Sequence, residues 1–370
     1  MRIALVAPLV TNIAQPFVGG AQAVVAALAQ GMMQRKHEVT LFARAGSSVP
    51  GVDIVQISTP DTVVPATFAT PGDAYPADAG FFAQANLFFD LYLDIQQRAD
   101  EFDLVHAHAF DWPSFVCSTL IADIPVIHTV HLPAVTPEIN EGLRVLHQRQ
   151  HPLTLITVSQ ACARGYAPYT PFDHIIYNGS NLDAIPFVEH VPEDAPLLYA
   201  GRITPEKGVE EAIEIAELAG RPLLIAGGIY DQRYYTERIL PRLQSASGRV
   251  SYLGQLRHDE LWKLMGQVRG LLFPIQWDEP FGLTPVEAMA AGTPVIAFKR
   301  GAAEEVIRHG ETGFLVEPGD CAQAAVLVDE LGTLSRAACR AHVEAYFSLP
   351  HMLDEYERAY TLTVKASKSH

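Results

Sequence analysis

The chain has 370 residues, of which 49% are hydrophobic and 18% are charged, so it is long and apolar enough to bury two cores and is not intrinsically disordered. Its 26 basic and 42 acidic residues give a net charge of −16, which argues against non-specific binding of nucleic acids. No apolar run approaches the roughly 20 residues of a membrane-spanning helix. The opening residues predict a first β-strand and not a signal peptide.

The four cysteines are scattered along the chain. They form no Cys-x-x-Cys pair and no cluster with histidine at metal-ligand spacing, so the sequence predicts neither structural zinc nor a disulfide framework. Thiols of this kind, in a chain without an export signal, indicate a reducing cytoplasm. Peripheral contact with a membrane through a small basic or apolar patch stays open. The cysteines are Cys117, Cys162, Cys321 and Cys339.

The first half of the chain alternates short apolar runs with helical stretches, beginning with the predicted helix Ala21–Arg35. The runs are continuously apolar, which is typical of strands buried on both faces of a parallel sheet. The predicted strands are Ile3–Ala7, Val39–Ala43, Leu104–Ala107, Val126–Val130, Leu155–Val158 and Ile175–Tyr177. The segment Thr59–Gly80 holds four prolines. It predicts either a long surface loop or a lid on the acceptor side, with equal weight for both.

A second series of strands and helices follows the proline-rich segment Pro192–Pro196. The predicted strands are Leu197–Ala200, Leu223–Ala226, Val250–Leu253, Leu271–Pro274, Val295–Phe298 and Phe314–Val316, with helices at Val209–Ala219 and Asp259–Gln267 between them. Alternation in both halves predicts an α/β protein with two doubly wound, Rossmann-like domains and a cleft between them. We place the domains at residues 1–190 and 191–348, followed by a C-terminal helix at 349–370.

The most informative segment follows the predicted strand that ends at Pro274. Thr284 is predicted to be a helix N-cap, with Pro285 at the first helical position and Glu287 completing a capping box. Gly292 is a suitable C-terminal stop for the same helix. The segment therefore predicts a short helix that begins beside the carboxyl end of a buried strand.

Such a helix start offers free backbone N–H groups to a phosphate. Gly282 would let a ligand approach the backbone closely. Glu279 and Glu287 lie at opposite ends of the turn, where carboxylates can accept hydrogen bonds from sugar hydroxyls. The pattern favours a ligand that carries both phosphates and sugars, although Glu287 could also serve only as a helix cap.

A basic pair follows the first strand of the second series. Gly201 and Gly208 enclose a turn that bears Arg202 and Lys207. On an acidic chain, a diphosphate needs locally placed cations, and hydrogen bonds from Arg and Lys contribute about 1.5–3 kcal/mol each. The alternative is a solvated turn with incidental charges, which the neighbouring acidic segment makes the weaker interpretation.

The N-terminal half carries weaker signals. Gly20 closes a glycine pair before the first helix, but the dinucleotide fingerprint G-x-G-x-x-G is absent, so nicotinamide or flavin chemistry lacks support. His106 and His108 end a strand on one face and have no third ligand that would make a metal site. His131 ends the next strand, and Asp111 follows His108 closely. A structural histidine is the ordinary alternative at each of these positions.

Taken together, these segments resemble the retaining glycosyltransferases of family 4. The family's hallmark is two glutamates separated by seven residues and followed by Gly-x-Pro-Val-Ile, and this chain has Glu279, Glu287 and Gly292–Ile296 in that arrangement. The family's diphosphate clamp, Gly-Arg-x-x-x-x-Lys-Gly, is matched by Arg202 and Lys207. The resemblance extends over nearly the whole chain and is strongest from Tyr199 to Val316.

The resemblance implies the GT-B architecture, with a nucleoside-diphosphate sugar held by the C-terminal domain and an acceptor held by the N-terminal one. It implies that His108, Glu279, Arg202 and Lys207 act in catalysis, and that the last helix crosses back to the first domain. The implied donor-binding residues are Gly20, Arg202, Lys207, Glu279, Phe281, Gly282, Leu283, Thr284 and Glu287. His131 and Asp111 are weaker candidates on the acceptor side.

The implied reaction moves a hexosyl group to an acceptor hydroxyl with retention of configuration, without a cofactor or metal ion. Glu279 would hold the transferred sugar, Glu287 the ribose, and the basic pair with the amides near Phe281–Thr284 the leaving diphosphate. The acceptor stays open among a sugar, a polysaccharide precursor, a metabolite and a lipid-linked glycan. Two alternatives remain: a sugar-nucleotide epimerase of the same architecture, and a regulator that binds sugar nucleotides without catalysis.

Overall fold

The computed structural model describes residues 1–15, 17, 19–59, 79–149, 152–245 and 248–368, and only the backbone of residues 79–84. Most of the predicted segment Thr59–Gly80 lies outside the described residues. The chain divides into two compact units, Met1–Ile176 with Met352–His370, and Tyr177–His351.

The first unit is built on a seven-stranded sheet in the order β3-β2-β1-β4-β5-β6-β7, in which every neighbouring pair is parallel. Its strands are β1 Arg2–Val6, β2 Glu38–Arg44, β3 Asp53–Ile57, β4 Leu104–Ala107, β5 Val126–Val130, β6 Leu153–Thr157 and β7 His174–Ile175. The sequence analysis missed β3. Its sequence, Asp-Ile-Val-Gln-Ile, has exposed polar residues at positions 53 and 56 and so lacks the continuous apolar run of a buried strand. β3 lies at the sheet edge and is only partly buried.

Helices pack against this sheet and cover its apolar faces. They are α1 Gly20–Gln34, α2 Ala79–Gln97, α3 Trp112–Cys117, α4 Pro137–Gln148, α5 Gln160–Tyr166 and, from Met352 on, α14 Leu349–Ser367. The last helix is held in this unit by an ion pair from Arg35 to Glu357 and a buried hydrogen bond between His106 and Tyr360. The C-terminal residues are therefore part of the first unit's core.

The second unit is built on a six-stranded parallel sheet in the order β10-β9-β8-β11-β12-β13. Its strands are β8 Leu197–Ala200, β9 Leu223–Ala226, β10 Val250–Gly254, β11 Gly270–Phe273, β12 Val295–Phe298 and β13 Gly313–Val316. Its helices are α6 Val209–Leu218, α7 Gln232–Tyr234 continuing through a π-turn into α8 Leu240–Ser245, α9 His258–Gln267, α10 Leu283–Ala290, α11 Ala303–Val306, α12 Cys321–Glu330 and α13 Arg336–Tyr346.

The boundary between the units differs from the predicted one at residue 190. Residues 177–190 lie with the second unit because their partners are there. The Tyr177 ring packs against Phe281 and Phe347, and Arg340 donates hydrogen bonds to the carbonyls of Leu182 and Ile185. These contacts outweigh the proline pair, which was the sequence signal for a later boundary.

Each sheet has a point where the strand order reverses, between β1 and β4 in the first unit and between β8 and β11 in the second. In open parallel sheets, ligands bind beyond the carboxyl ends of the strands at such a point. The predicted site residues follow these four strands or their neighbours. Among the described residues, no helix is long and apolar enough to cross a membrane.

Candidate functional site

In the second unit, the loops that follow β8 and β11 are in direct contact. Gly208 has φ 73°, and a Cβ atom added there would lie 1.9 Å from the carbonyl oxygen of Pro274. Only glycine permits both that conformation and that approach. The backbone N–H of Gln276 also donates to the carbonyl of Glu206 at 2.8 Å. The sequence therefore fixes the two loops against each other at the point where the strand order reverses.

This contact brings Lys207 and Glu279 together. Lys207 Nζ lies 2.5 Å from Glu279 Oε2, and the two side chains are only 15% and 16% exposed. The indole of Trp277 completes the cluster, since its Nε1–H donates to the same Oε2 at 2.7 Å and its ring lies 4.8 Å from Lys207 Nζ. The sequence analysis gave these two charges separate tasks, but the structure joins them in one ion pair.

Arg202 lies on the same turn with a weaker partner. Its guanidinium is 3.4 Å from Glu206 Oε1 and stands over the ring of Tyr230 at 5.6 Å. Glu206 is held in turn by the Thr204 hydroxyl at 2.8 Å. The Arg202 side chain is 28% exposed, so an anion can reach it.

The helix α10 begins earlier than predicted. Its first residue is Leu283 and its N-cap is Gly282 at φ 91°, with no side-chain capping bond, so the predicted capping box of Thr284 and Glu287 is wrong. A glycine in the left-handed region turns the chain into the helix without a hydroxyl cap. Among the described residues, no acceptor meets the backbone N–H groups of Gly282, Leu283 or Thr284. The sequence analysis expected free backbone amides at this helix start, and they are present. The observed N-cap, Gly282, lies two residues before the predicted N-cap, Thr284.

The predicted C-terminal stop of α10 is confirmed. Gly292, at φ 94°, follows the C-cap Ala291, and its N–H donates to Met289 while that of Thr293 donates to Ala288. This pair of bonds is a Schellman motif. It closes the helix that carries Glu287.

Phe281 cannot offer its side chain to a ligand. The ring is 3% exposed and packs against Tyr177 and Phe347 at centroid distances of 6.0 and 5.7 Å. Only the backbone of Phe281 is therefore available to a ligand, and its predicted role in donor binding stays a prediction. Leu283 and Thr284 remain partly exposed beside it.

Glu287 lies on α10 and is partly exposed, with its carboxyl beside the indole of Trp262. Burial raises the pKa of its carboxyl from 4.5 to about 7, and the indole N–H of Trp262 opposes this rise in part. The Trp262 nitrogen is itself buried and has no well-aligned acceptor among the described residues. Glu287 is therefore a carboxyl that is poised between its neutral and charged forms near neutral pH.

In the first unit, four histidines lie in β4 and β5 or directly after them. His106 is fully buried and is bonded to Tyr360 at 2.7 Å and to Thr129 at 2.8 Å. Its ring lies 4.1 Å from that of His108, as expected for alternate residues of an extended segment. Burial lowers the pKa of His128 to about 3 and of His131 to about 4, and it lowers the pKa values of His106 and His108 well below their usual range. The cluster is neutral at physiological pH.

His108 and His131 are brought together as a pair. Nδ1 of His108 lies 2.7 Å from Nε2 of His131, so one ring donates and the other accepts. The remaining nitrogen of His108, Nε2, is buried and has no hydrogen-bond partner among the described residues. Asp111 precedes α3 without a capping bond from its side chain, and Gly20 is exposed at the first position of α1.

The sequence analysis overlooked three aromatic residues at the site. Trp277 contacts both charges of the ion pair, Tyr230 lies under Arg202, and Trp262 meets Glu287. Trp277 could have been found, because it follows β11 and stands two residues before Glu279. The other two lie on distant elements, where only the folded chain brings them to the site. No cluster of metal-ligating side chains occurs within the part of the chain that the structure describes.

Comparison with known proteins agrees with this architecture. The profile of glycosyltransferase family 4 matches residues 18–184, and the profile of glycosyl transferases group 1 matches residues 183–344. The chain therefore joins a glycosyltransferase family 4 domain to a glycosyl transferases group 1 domain. The Glu279–Glu287 segment lies inside the group 1 match, and the histidine cluster lies inside the family 4 match.

Proteins similar to this chain carry names that describe different activities. The chain is 30% identical to glycogen synthase of Mycobacterium tuberculosis over 61% of its own length and 59% of that protein's. It is 29% identical to phosphatidyl-myo-inositol mannosyltransferase of Mycobacterium leprae over 91% and 88% of the two chains. Among solved structures, HepE of Anabaena in complex with UDP and glucose superposes with a TM-score of 0.74 at 20% identity, over 98% of this chain and 99% of that one. The fold is therefore GT-B.

Proposed function

We propose that this protein is a retaining glycosyltransferase that moves a hexosyl group from a nucleoside-diphosphate sugar to an acceptor hydroxyl without a metal ion. The observation that carries the proposal is the ion pair of Lys207 with Glu279, which lies three residues before the first of the free amides of residues 282–284 at the start of α10. The named relatives act on sugars, and one solved neighbour is described with UDP and glucose.

The diphosphate would lie on the cationic part of this site. Lys207 has three N–H groups and gives one of them to Glu279, so two remain for phosphate oxygens. The amides at the start of α10 add neutral donors at the positive end of the helix dipole. Arg202 lies on the same turn, and its partly exposed guanidinium would add a further positive charge near the same anion. These donors would stabilise the charge that develops as the diphosphate leaves, in place of a metal ion.

The sugars would lie on the carboxyl groups. Both hydrogen bonds to Glu279 end on Oε2, so Oε1 is available to a hydroxyl of the transferred hexose. Glu287 lies further along α10 and would accept hydrogen bonds from the ribose once it is ionised. The role of His108 toward the donor sugar and the roles of His131 and Asp111 toward the acceptor stay predictions.

Retention fits a front-face route in which the leaving phosphate helps to take the acceptor proton. Glu279 is tied to a lysine and an indole at one oxygen, which suits it to hold a substrate and not to attack it. The configuration of the product decides this point. With an α-linked donor, an axial anomeric proton in the NMR spectrum of the product would contradict retention. Metal independence is tested separately, and a loss of turnover on addition of EDTA would contradict it.

Thermal unfolding with UDP-, GDP- and ADP-sugars tests the donor site. A ligand at about 100 times its dissociation constant stabilises the protein by about 2.7 kcal/mol. Lys207→Met should abolish most of this shift. Lys299→Met is the matched control, because Lys299 also forms a 2.5 Å ion pair, with Glu317, on an exposed part of the same unit. No response to any nucleotide sugar, or equal losses in the two variants, would contradict the proposal.

Turnover separates the enzyme from a binding protein. Slow hydrolysis of the donor without an acceptor, measured as release of nucleoside diphosphate, is expected from a glycosyltransferase. Tight binding without any turnover would instead favour a regulator. Conversion of the donor to another sugar nucleotide would favour an epimerase.

A further inference from the structure

We infer that Trp277 is a positioning residue, whose indole N–H fixes Glu279 so that the other carboxylate oxygen faces the transferred sugar. This inference rests on the proposed function. Trp277 lies between β11 and α10 and is not among the site residues that were predicted from the sequence. Trp277 does not touch the reacting atoms in the inference but acts through Glu279.

The geometry at Glu279 is asymmetric. Lys207 Nζ at 2.5 Å and Trp277 Nε1 at 2.7 Å both donate to Oε2, and no described donor reaches Oε1. A carboxylate held at one oxygen by two donors keeps its plane and presents the other oxygen in one direction. The backbone adds a further restraint, because the N–H of Ala302 donates to the carbonyl of Glu279 at 2.9 Å.

The two anchors of Oε2 respond differently to a donor substrate. Lys207 is a cation, so the diphosphate competes with Glu279 for its N–H groups. The indole N–H of Trp277 is neutral and has a single proton, which has no reason to leave the carboxylate for the phosphate. Trp277 therefore keeps Glu279 oriented while Lys207 turns toward the diphosphate. Its ring face, 4.8 Å from Nζ, continues to hold the ammonium group.

If Trp277 had only a structural role, its replacement would weaken the binding of every ligand to the same extent. The inference instead predicts an effect on the sugar and not on the nucleotide. We would measure the dissociation constants of the nucleoside diphosphate and of its sugar form for the wild type, Trp277→Phe and Trp277→Leu. Phenylalanine keeps a ring face for Lys207 but has no N–H, whereas leucine lacks both.

For Trp277→Phe we expect the nucleoside diphosphate to bind within twofold of the wild type. We expect the extra affinity that the sugar contributes to fall by about tenfold or more, the loss that one hydrogen bond to a charged group implies. For Trp277→Leu both ligands should bind more weakly, because Lys207 also loses its support. Trp112→Phe, at an exposed indole of the first unit, is the control and should change neither value.

The resting contact has its own test, which needs no ligand. The measurement is the NMR signal of the indole N–H groups. The chain has three tryptophans, so the signal that disappears in Trp277→Phe belongs to Trp277. Glu279→Leu should move this signal, and Glu317→Leu should not. An unmoved signal in Glu279→Leu would overturn the inference whatever the protein binds.

The outcomes separate the two proposals. A wild type that binds sugar nucleotides, together with a Trp277→Phe variant that keeps the full contribution of the sugar, overturns the positioning role and leaves the donor site intact. A wild type that binds no nucleoside diphosphate at all overturns the proposed function, and the inference with it.

Discussion

Donor binding should depend on pH through Glu287. Burial raises the pKa of this carboxyl to about 7, so it is mostly neutral at pH 6 and mostly charged at pH 8. A ribose hydroxyl that donates to Glu287 binds the charged form better. With a pKa of about 7, the charged fraction rises from about one in eleven to about ten in eleven between these pH values, so donor affinity should improve about tenfold.

Isothermal titration calorimetry measures this effect directly. The ligand should be a nucleotide sugar, because its diphosphate has no proton to exchange near neutral pH, whereas a free nucleoside diphosphate does. Titrations at pH 7 in two buffers of different ionisation enthalpy should show the release of about half a proton per donor bound. Glu287→Gln should release none and should bind with a flat pH profile between pH 6 and 8. A pH slope that survives this substitution would refute the assignment.

The same carboxyl has an opposite effect on stability. Because its pKa rises from 4.5 in the unfolded chain to about 7 in the folded one, the folded state binds more protons between these values. Stability therefore falls as pH increases through this window, by up to about 3 kcal/mol, and stays low above it. Glu287→Gln should be more stable than the wild type at pH 8 in urea unfolding and nearly equal at pH 4. Equal pH profiles of stability would show that the carboxyl is more solvated than the structure indicates.

Three further predictions concern the framework around the sites. Gly208→Ala should unfold at markedly lower urea concentration than Gly220→Ala, because both glycines have positive φ but only Gly208 has a carbonyl oxygen 1.9 Å from the added Cβ; equal midpoints would contradict the loop contact. Arg336→Met should lower the unfolding free energy by about 3–5 kcal/mol, because this buried guanidinium donates to three backbone carbonyls and a hydroxyl that would be left unpaired. A loss below about 1 kcal/mol in urea titration would contradict this stabilising role. Tyr360→Phe should cost about 1–3 kcal/mol by calorimetry, because it removes the partner of a buried nitrogen of His106, and an unchanged transition temperature would mean that water replaces the hydroxyl.

Both sheets were largely predictable because their central strands are continuous apolar runs. Leu104–Ala107, Leu197–Ala200 and Val295–Phe298 match the predicted bounds. The pattern fails where a strand is only partly buried, as at Asp53–Ile57, which lies at the sheet edge and carries polar residues at positions 53 and 56. Such a strand forms because it pairs with its neighbour, here β2, and its own composition does not predict it.

The site was predictable in its residue types but not in its pairing. Arg202, Lys207, Glu279 and Glu287 follow strand ends in the sequence, and this order alone indicates a ligand site. The ion pair between Lys207 and Glu279 depends on the contact of two loops that are 72 residues apart. The start of α10 was predicted too late because Thr284 followed by Pro285 is a strong N-cap signal. In the structure Gly282, in the left-handed conformation, is the N-cap instead, so the helix begins at Leu283.

The chain passes from the first unit to the second after Ile176 and returns before Met352, so the first unit consists of two pieces of sequence. A fragment of residues 1–176 would lack Tyr360 and expose the face that it covers, including His106. A synthetic peptide of residues 349–368 is then the missing piece of that fragment. Dissection of this protein into independently folding parts therefore requires either a split pair that reassembles or a linker that joins Ile176 directly to the last helix.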